Sequence, residues 1–294
     1  MKKLNVIVLM GGKSSEREIS LLSGSEVLSN INKERYIVKP LEIPKKGNEW
    51  INKLVDLNPD LVFIALHGAN GEDGSIQGML DTLGIPYTGS GVLSSALGMD
   101  KILFKKIMRS ENISIPKDVK SAPCFIKPNN EGSSVGASLV LADNKFNSAI
   151  RLAKKYSNDI LIEEYLNGIE LTCAVIGNEN PTALPIIEIL PKKGDFFNYK
   201  SKYTQNGSDE IVPARISKLL TKEVQDLAIK VYTITRCRGF ARVDFILKEN
   251  KYPVVLEINT IPGLTKMSLL PKAAKAANIS YTDLLDKIIN YAIE

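Results

Sequence analysis

Short apolar runs separated by longer amphipathic stretches set the rhythm of the first third of this chain. Leu4 to Met10 and Leu61 to Leu66 are continuous enough to be strands buried on both faces, and Ile19 to Ile31 between them has helical periodicity. Short buried strands alternating with helices predict an open parallel α/β sheet, whose ligands gather beyond the C-terminal strand ends. Both candidate loops, Gly11 to Glu16 and His67 to Gly74, fall at such ends.

Beyond residue 94 the pattern changes. Residues 95 to 110 read as one amphipathic basic helix leaving the first domain. A strand over Cys124 to Lys127, a glycine-rich loop over Asn129 to Gly136 and a strand through Val140 come next. Residues 145 to 157 then read as a helix and Asp159 to Glu164 as a strand. Leu171 to Ile176 and Ala183 to Leu190 are expected to be antiparallel strands. Residues 191 to 213 are polar and irregular, a length of loop usually reserved for function. A helix over 217 to 236 leads to two apolar runs, Gly239 to Leu247 and Pro253 to Ile258. The turn-like KENKY between them makes this a hairpin. Two short helices, 268 to 277 and 281 to 292, follow.

Composition narrows the class. At 294 residues, 44% hydrophobic and 24% charged, the chain has the profile of a soluble globular protein of two or three modest domains. The net charge of +5 is mild and spread out, so nucleic acid is not demanded, and a basic cleft for a polyphosphate would fit as well. The three cysteines, Cys124, Cys173 and Cys237, are far apart in apolar runs, as buried thiols of a reducing compartment are. With no signal-peptide pattern and no long apolar stretch, a cytoplasmic protein without a membrane span is expected.

The hairpin carries the densest chemistry. Alternation puts Arg242 and Asp244 on one face of the first strand, and Glu257 and Asn259 on one face of the second. If the faces pair, two carboxylates and an amide oxygen suited to Mg²⁺ converge beside an arginine suited to a developing anion; the alternative is a surface hairpin of exposed charges. Glu131 to Gly136 is either a structural turn or a phosphate-binding loop, with Lys127 just before it. The acids at 163 and 164 and Glu170 are either solvated or partners of adenine and ribose.

Other positions also carry two readings. His67, the sole histidine, is either structural or a group that binds an anionic substrate. Glu16 complements a helix dipole or receives an ammonium. Lys202-Tyr203 sit in the long loop, where aromatics suit closure over a substrate. The turn at Pro262-Gly263 offers an N–H to an oxyanion. Ser268 is an N-cap or, with the helix start, a carboxylate site.

Taken together, these segments resemble the D-alanine–D-alanine ligase family of the ATP-grasp superfamily. The carriers are GGKSSEREISLLSG (Gly11 to Gly24), FIALHGANGEDGSIQGMLDTLGIPYTGSG (Phe63 to Gly91), MDK (Met99 to Lys101) and IKPNNEGSSVG (Ile126 to Gly136). LIEEYLNGIELT (Leu161 to Thr172), YKSKY (Tyr199 to Tyr203), RVD (Arg242 to Asp244) and LEINTIPGLTKMSLLP (Leu256 to Pro271) complete the set. The resemblance implies an α/β chain, α+β overall: an N-terminal open parallel sheet domain (1–98), a shortened central ATP-grasp subdomain (99–184) and a C-terminal ATP-grasp subdomain (185–294).

It further implies that Lys101, Lys127, Ser134, Glu163, Tyr165, Leu166, Glu170 and Lys202 hold ATP, Tyr165 through its backbone. Asp244, Glu257 and Asn259 would hold two Mg²⁺ ions, for which Mn²⁺ can substitute. Glu16 would take the first D-alanine's ammonium with His67 close by, and Ser133 and Tyr203 would form a triad with Glu16. Arg242 and the Gly263 N–H would stabilise an oxyanion, and Ser268 with the Leu269 N–H would bind the second D-alanine's carboxylate. The implied activity is ATP-dependent synthesis of D-alanyl-D-alanine for peptidoglycan, through D-alanyl phosphate, by a homodimer.

The alternatives are a ligase using D-lactate or D-serine as second substrate, against which Tyr203 speaks, and a nucleotide-binding protein without ligase activity. Two departures stand out. The stretch Ile115 to Pro123 is short where the family commonly has a further strand and helix, and is expected simply to bridge. Residue 164 is glutamate where lysine is common, altering charge near the adenine.

Overall fold

The computed structural model describes residues 3–191 and 208–294. Strand β1 (Leu4–Gly11) is the middle of a parallel sheet, flanked by β2 (Tyr36–Ile43) and β3 (Leu61–Ile64). β1 and β3 are the continuous apolar runs, and their central residues are wholly buried. β2 escapes a reading by apolar run because Lys39, Pro40 and Glu42 interrupt it. It lies at the edge of the three strands, where a proline removes no ladder bond from a central position. Helices α1 (Arg17–Asn30), α2 (Glu49–Asp56) and α3 (Ser75–Leu83) connect and cover the sheet.

The expected single helix over 95 to 110 is two helices, α4 (Val92–Met99) and α5 (Lys101–Ser110). The break is Asp100, whose extended backbone stops α4 and whose Oδ1 accepts the Leu103 N–H at 2.9 Å as the N-cap of α5. Asn129 donates to the same oxygen at 3.0 Å, so the corner is tied to the glycine-rich loop.

A small antiparallel sheet follows, ordered β5-β4-β6 from Ser138–Val140, Cys124–Pro128 and Ile160–Glu164, with α6 (Phe146–Ala153) packed on it. The short linker does more than bridge. Residues 117 to 119 pair with the free edge of β6: Glu164 N–H donates to Lys117 O at 2.8 Å and Val119 N–H to Ile162 O at 3.1 Å.

The larger antiparallel sheet runs β10-β9-β7-β11-β12, from Ser208–Ile211, Ile187–Pro191, Gly168–Ile176, Phe240–Lys248 and Tyr252–Asn259; β8 (Thr182–Ala183) also pairs with β7. By pairing, therefore, residues 168–183 belong to the same sheet as the hairpin, and the small sheet ends at Glu164. The single strand expected over Ala183 to Leu190 is split, because Pro185 has no N–H for a ladder. Helix α7 (Lys218–Ile234) lays Val224, Ala228, Val231 and Tyr232 on this sheet, a helical stripe meeting Val243, Phe245 and Leu247. Helices α8 (Leu269–Ala276) and α9 (Tyr281–Ile293) pack into the core of the first sheet.

Candidate active site

The hairpin register pairs Arg242 with Asn259 and Asp244 with Glu257. Directly paired residues share a face, so all four side chains stand together. A bulge interrupts the ladder after Asp244: Phe245 pairs with Val255, leaving Leu256 extra. That residue lets Val255 enter the core while Glu257 and Asn259 face the cleft; without it, strict alternation would put all three on one side. On the neighbouring strand Thr172 pairs with Asp244 and donates its hydroxyl to Oδ1 at 2.5 Å. Arg242 holds both Asp244 oxygens, Nε to Oδ1 at 2.9 Å and Nη2 to Oδ2 at 2.8 Å.

Opposed carboxylates on a sheet repel. Here cations stand against each: Arg242 on Asp244, and Lys101 with Nζ 3.7 Å from Glu257 Oε2. Two carboxylates and the Asn259 amide oxygen, itself steadied by the Ile261 N–H at 3.0 Å, form a hard-oxygen set that fits a divalent cation such as Mg²⁺.

The small sheet supplies a second cluster. Lys127 and Glu163 are diagonal neighbours on one face of β4 and β6, with Nζ 2.9 Å from Oε2. Burial works against both charges, but their mutual attraction outweighs it. Glu163 is held below the usual carboxylate range, helped by Lys105, and Lys127 is held above the usual lysine range, helped by Glu257. Glu163 Oε1 is buried without a hydrogen-bond partner, although the Lys105 ammonium stands 2.9 Å away out of line. An acceptor left open beside two lysines fits a group that brings N–H donors and phosphate charge together, as ATP does. Lys101, one turn before Lys105 on α5, donates to Glu131 O at 2.8 Å at the root of the glycine-rich loop.

The loop itself reaches the first domain. Ser133 and Ser134 both adopt left-handed backbone (φ 48° and 58°), uncommon for serine, and Ser133 Oγ donates to Glu16 Oε1. Glu16, at the N-cap position of α1, is buried. Its other oxygen is wedged between two glycines of different loops. A Cβ on Gly132 would come within 2.7 Å of Glu16 Oε2, and one on Gly68 within 2.8 Å. A side chain at either position would push on the carboxylate, and at Gly68 the left-handed backbone (φ 71°) adds a strain of its own.

Next to Gly68, His67 is buried between Glu72, with Nδ1 to Oε1 at 3.1 Å, and Ser23, with Nε2 to Oγ at 2.9 Å. Burial raises the Glu72 carboxyl above its usual range, and the Glu16 charge adds to this, against the His67 hydrogen bond. Ser23 Oγ in turn accepts the Leu264 N–H at 3.4 Å, so the histidine is wired to the turn containing Gly263.

Ser268 occupies the N-cap position of α8 but does not cap it. Its Oγ accepts the Thr265 N–H at 3.1 Å and pairs with Thr265 Oγ1 at 2.8 Å. A Cβ on Gly263 would meet that Oγ at 2.8 Å, so hydroxyl, turn and the uncapped helix start lie side by side. Tyr165 and Leu166 lie on the connection from β6 into β7, with the Tyr165 N–H directed to Pro123 O at 3.4 Å, and Glu170 lies within β7, between Ile189 and Ile246 of the neighbouring strands. Lys202 and Tyr203 lie outside the described residues. Lys105, Asp118, Ser23 and Thr172 went unread in the sequence. Lys105 was legible as i+4 from Lys101, and Thr172 as the residue facing Asp244 once β7 was placed beside the hairpin.

Similarity to known proteins extends along nearly the whole chain. Residues 5–90 match the model of the D-Ala-D-Ala ligase N-terminus, in two overlapping pieces, and residues 93–290 match that of the C-terminus. The chain belongs to the D-alanine–D-alanine ligase family. The D-alanine–D-alanine ligase of Moorella thermoacetica is 41% identical over 312 aligned positions, covering 99% of this chain and all of that protein. The ATP complex of the Bacillus anthracis ligase superposes with a TM-score of 0.84 at 34% identity, covering 99% of this chain and 97% of that one. A D-Ala:D-Ser ligase of Enterococcus faecalis gives a TM-score of 0.84 at 33% identity, over 99% and 100% of the two chains. An alignment longer than these 294 residues requires gaps in this chain.

Proposed function

We propose that the chain joins two D-alanines in an ATP-dependent reaction through D-alanyl phosphate, making D-alanyl-D-alanine for peptidoglycan. The observation that carries the reading is the Glu16 carboxylate, wedged between Gly68 and Gly132 and bonded to Ser133. It stands where the glycine-rich loop meets the first domain, suited to receive an ammonium.

In this reading Glu16 orients the first D-alanine by its ammonium, with His67 beside it. Lys101 and Lys127 neutralise the phosphates, Glu163 and the Tyr165–Leu166 backbone take the adenine, Glu170 the ribose, and Ser134 and Lys202 further phosphate oxygens. Asp244, Glu257 and Asn259 would hold Mg²⁺, or Mn²⁺ in its place, which when bound would supply charge neutralisation near the phosphates. A carboxylate is a poor electrophile, and its phosphorylation creates a leaving group. The second D-alanine is held by its carboxylate at Ser268 and the Leu269 N–H, where the uncapped helix start offers free donors. Its amine attacks, Arg242 and the Gly263 N–H stabilise the tetrahedral oxyanion, and phosphate departs. Tyr203 completes the Glu16–Ser133 triad and keeps water from the acyl phosphate.

The ATP-using reaction belongs in the cytoplasm, and a homodimer is the expected assembly. Among the described residues no helix is long and apolar enough to cross a membrane. The test is phosphate release from ATP and Mg²⁺ with D-alanine, with L-alanine as control and the product identified by mass. D-Alanine-dependent release with D-alanyl-D-alanine formed is expected. Release only with D-serine or D-lactate present would reassign the second substrate, and ATP binding without turnover would sink the ligase reading.

A further inference from the structure

The shortened linker places one residue where it acts on the nucleotide side of the site. Asp118 bridges to Glu163 through the backbone, and its carboxylate turns the other way, onto α5. Oδ1 is 2.8 Å from Lys105 Nζ, and Oδ2 is 2.5 Å from Arg109 Nη2. Lys105 is buried, so its ammonium has little water to satisfy it. It is shared between Asp118 and Glu163, and Glu163 is shared between Lys105 and Lys127. The order Asp118, Lys105, Glu163, Lys127 therefore alternates in sign from the linker into the cleft.

The alignment of the pairs matters more than their number. Lys105 donates a well-aligned hydrogen bond to Asp118 but meets Glu163 Oε1 only as an off-line charge contact, leaving that oxygen without a hydrogen-bond partner. Asp118 thus holds the ammonium beside Glu163 Oε1, at 2.9 Å, but out of hydrogen-bonding line with it. Lys117 N–H donates to Glu164 Oε1 at 3.0 Å, and Lys248 stands 3.7 Å from Glu164 Oε2, so the glutamate at 164 anchors the linker.

We propose that Asp118 is a positioning residue for nucleotide binding: by drawing the Lys105 ammonium onto itself, it keeps Glu163 Oε1 free to accept from the adenine amino group. This rests on the ATP-dependent reading above. Without the aspartate, Lys105 turns into line with Oε1 and occupies it.

The experiment is calorimetric binding of ADP with Mg²⁺, without D-alanine, to the wild type and to Asp118→Asn, Asp118→Glu and Arg109→Gln. It is run beside thermal melting without nucleotide and steady-state kinetics. Asp118 is on the surface, and these substitutions are expected to fold. Asp118→Asn should bind ADP roughly three- to tenfold more weakly and raise KM for ATP alike, with kcat and KM for D-alanine unchanged. Asp118→Glu should restore affinity, and Arg109→Gln, which removes only the outer partner, should keep it. Unchanged ADP affinity in Asp118→Asn, or an equal loss in Arg109→Gln, overturns the proposal and leaves the ligase reading standing. A wild type that neither binds ADP nor turns over overturns both.

Discussion

Arg242 clasps Asp244 with two parallel hydrogen bonds, 2.9 and 2.8 Å long, two residues away along the same strand. The proposed oxyanion donor is thus oriented by a proposed metal ligand, and lysine cannot reproduce the fork. Arg242→Lys is expected to lower kcat by about 10²- to 10³-fold, the usual cost of a lost oxyanion donor, with little change in KM for ATP. Steady-state kinetics check this; a kcat within a few-fold of wild type would remove Arg242 from the chemistry.

Asp244 and Glu257 oppose each other across the ladder, so a divalent cation should matter to both stability and rate. EDTA is expected to stop turnover and added Mg²⁺ to restore it. In Asp244→Asn, half-maximal activity should need about tenfold or more Mg²⁺. A Mg²⁺ titration of both proteins decides it.

Gly132→Ala makes a sharper test than any charge change. The new methyl would strike Glu16 Oε2, forcing the carboxylate or the loop to move. A displacement of this size can cost about 10²-fold in rate. The melting temperature should shift by only a few degrees, because the loop is not core. Equal losses of stability and activity would argue against a role for the Glu16 position in catalysis.

The pH dependence of stability has a definite sign. Glu163 has its carboxyl held below the ordinary 4.5, so its contribution is present above that value and lost as pH falls through the lower native one. Lys127 is raised above 10.5, so its part is present below that value and lost as pH rises through the native one. Glu163→Gln, which takes the shared carboxylate from buried Lys105 and partly buried Lys127, should cost about 3 kcal/mol near neutral pH, and the gap should close as pH falls below 4.5. Glu72 has the opposite sign: burial raises its carboxyl, so ionisation at neutral pH opposes folding. Glu72→Gln should therefore melt higher than wild type at pH 7 and no higher in acid. Melting curves from about pH 3 to 9 test both.

Much of this was legible from pattern. The apolar runs of β1 and β3 and the shared faces of Arg242 with Asp244 and Glu257 with Asn259 follow from period two alone. What pattern missed has physical causes. The edge strand β2 hides behind Pro40. Asp100 splits a helix because a side-chain cap competes with helix continuation, an outcome settled only when Asn129 arrives from elsewhere in the chain. The extra residue Leu256 reverses which alternate positions face the cleft, and no periodicity count reveals a bulge. Ser268 has the residue type and place of an N-cap, yet Thr265 takes its hydroxyl. Lys105 and Asp118 went unread because only tertiary packing buries the lysine and brings the aspartate onto it.

The apolar side of α9, Leu284, Leu285, Ile288 and Ile289, is buried in one core with Val6, Val8 and Phe63 of the first sheet. Arg35 reaches Asp286, and Thr282 reaches the Asn30 carbonyl, across the same junction. A ribosome releases β1 long before α9, so the earliest strands wait through most of synthesis with an uncovered face. For this chain, the first domain can close only after α9, made some 220 residues later than β3, has been synthesised.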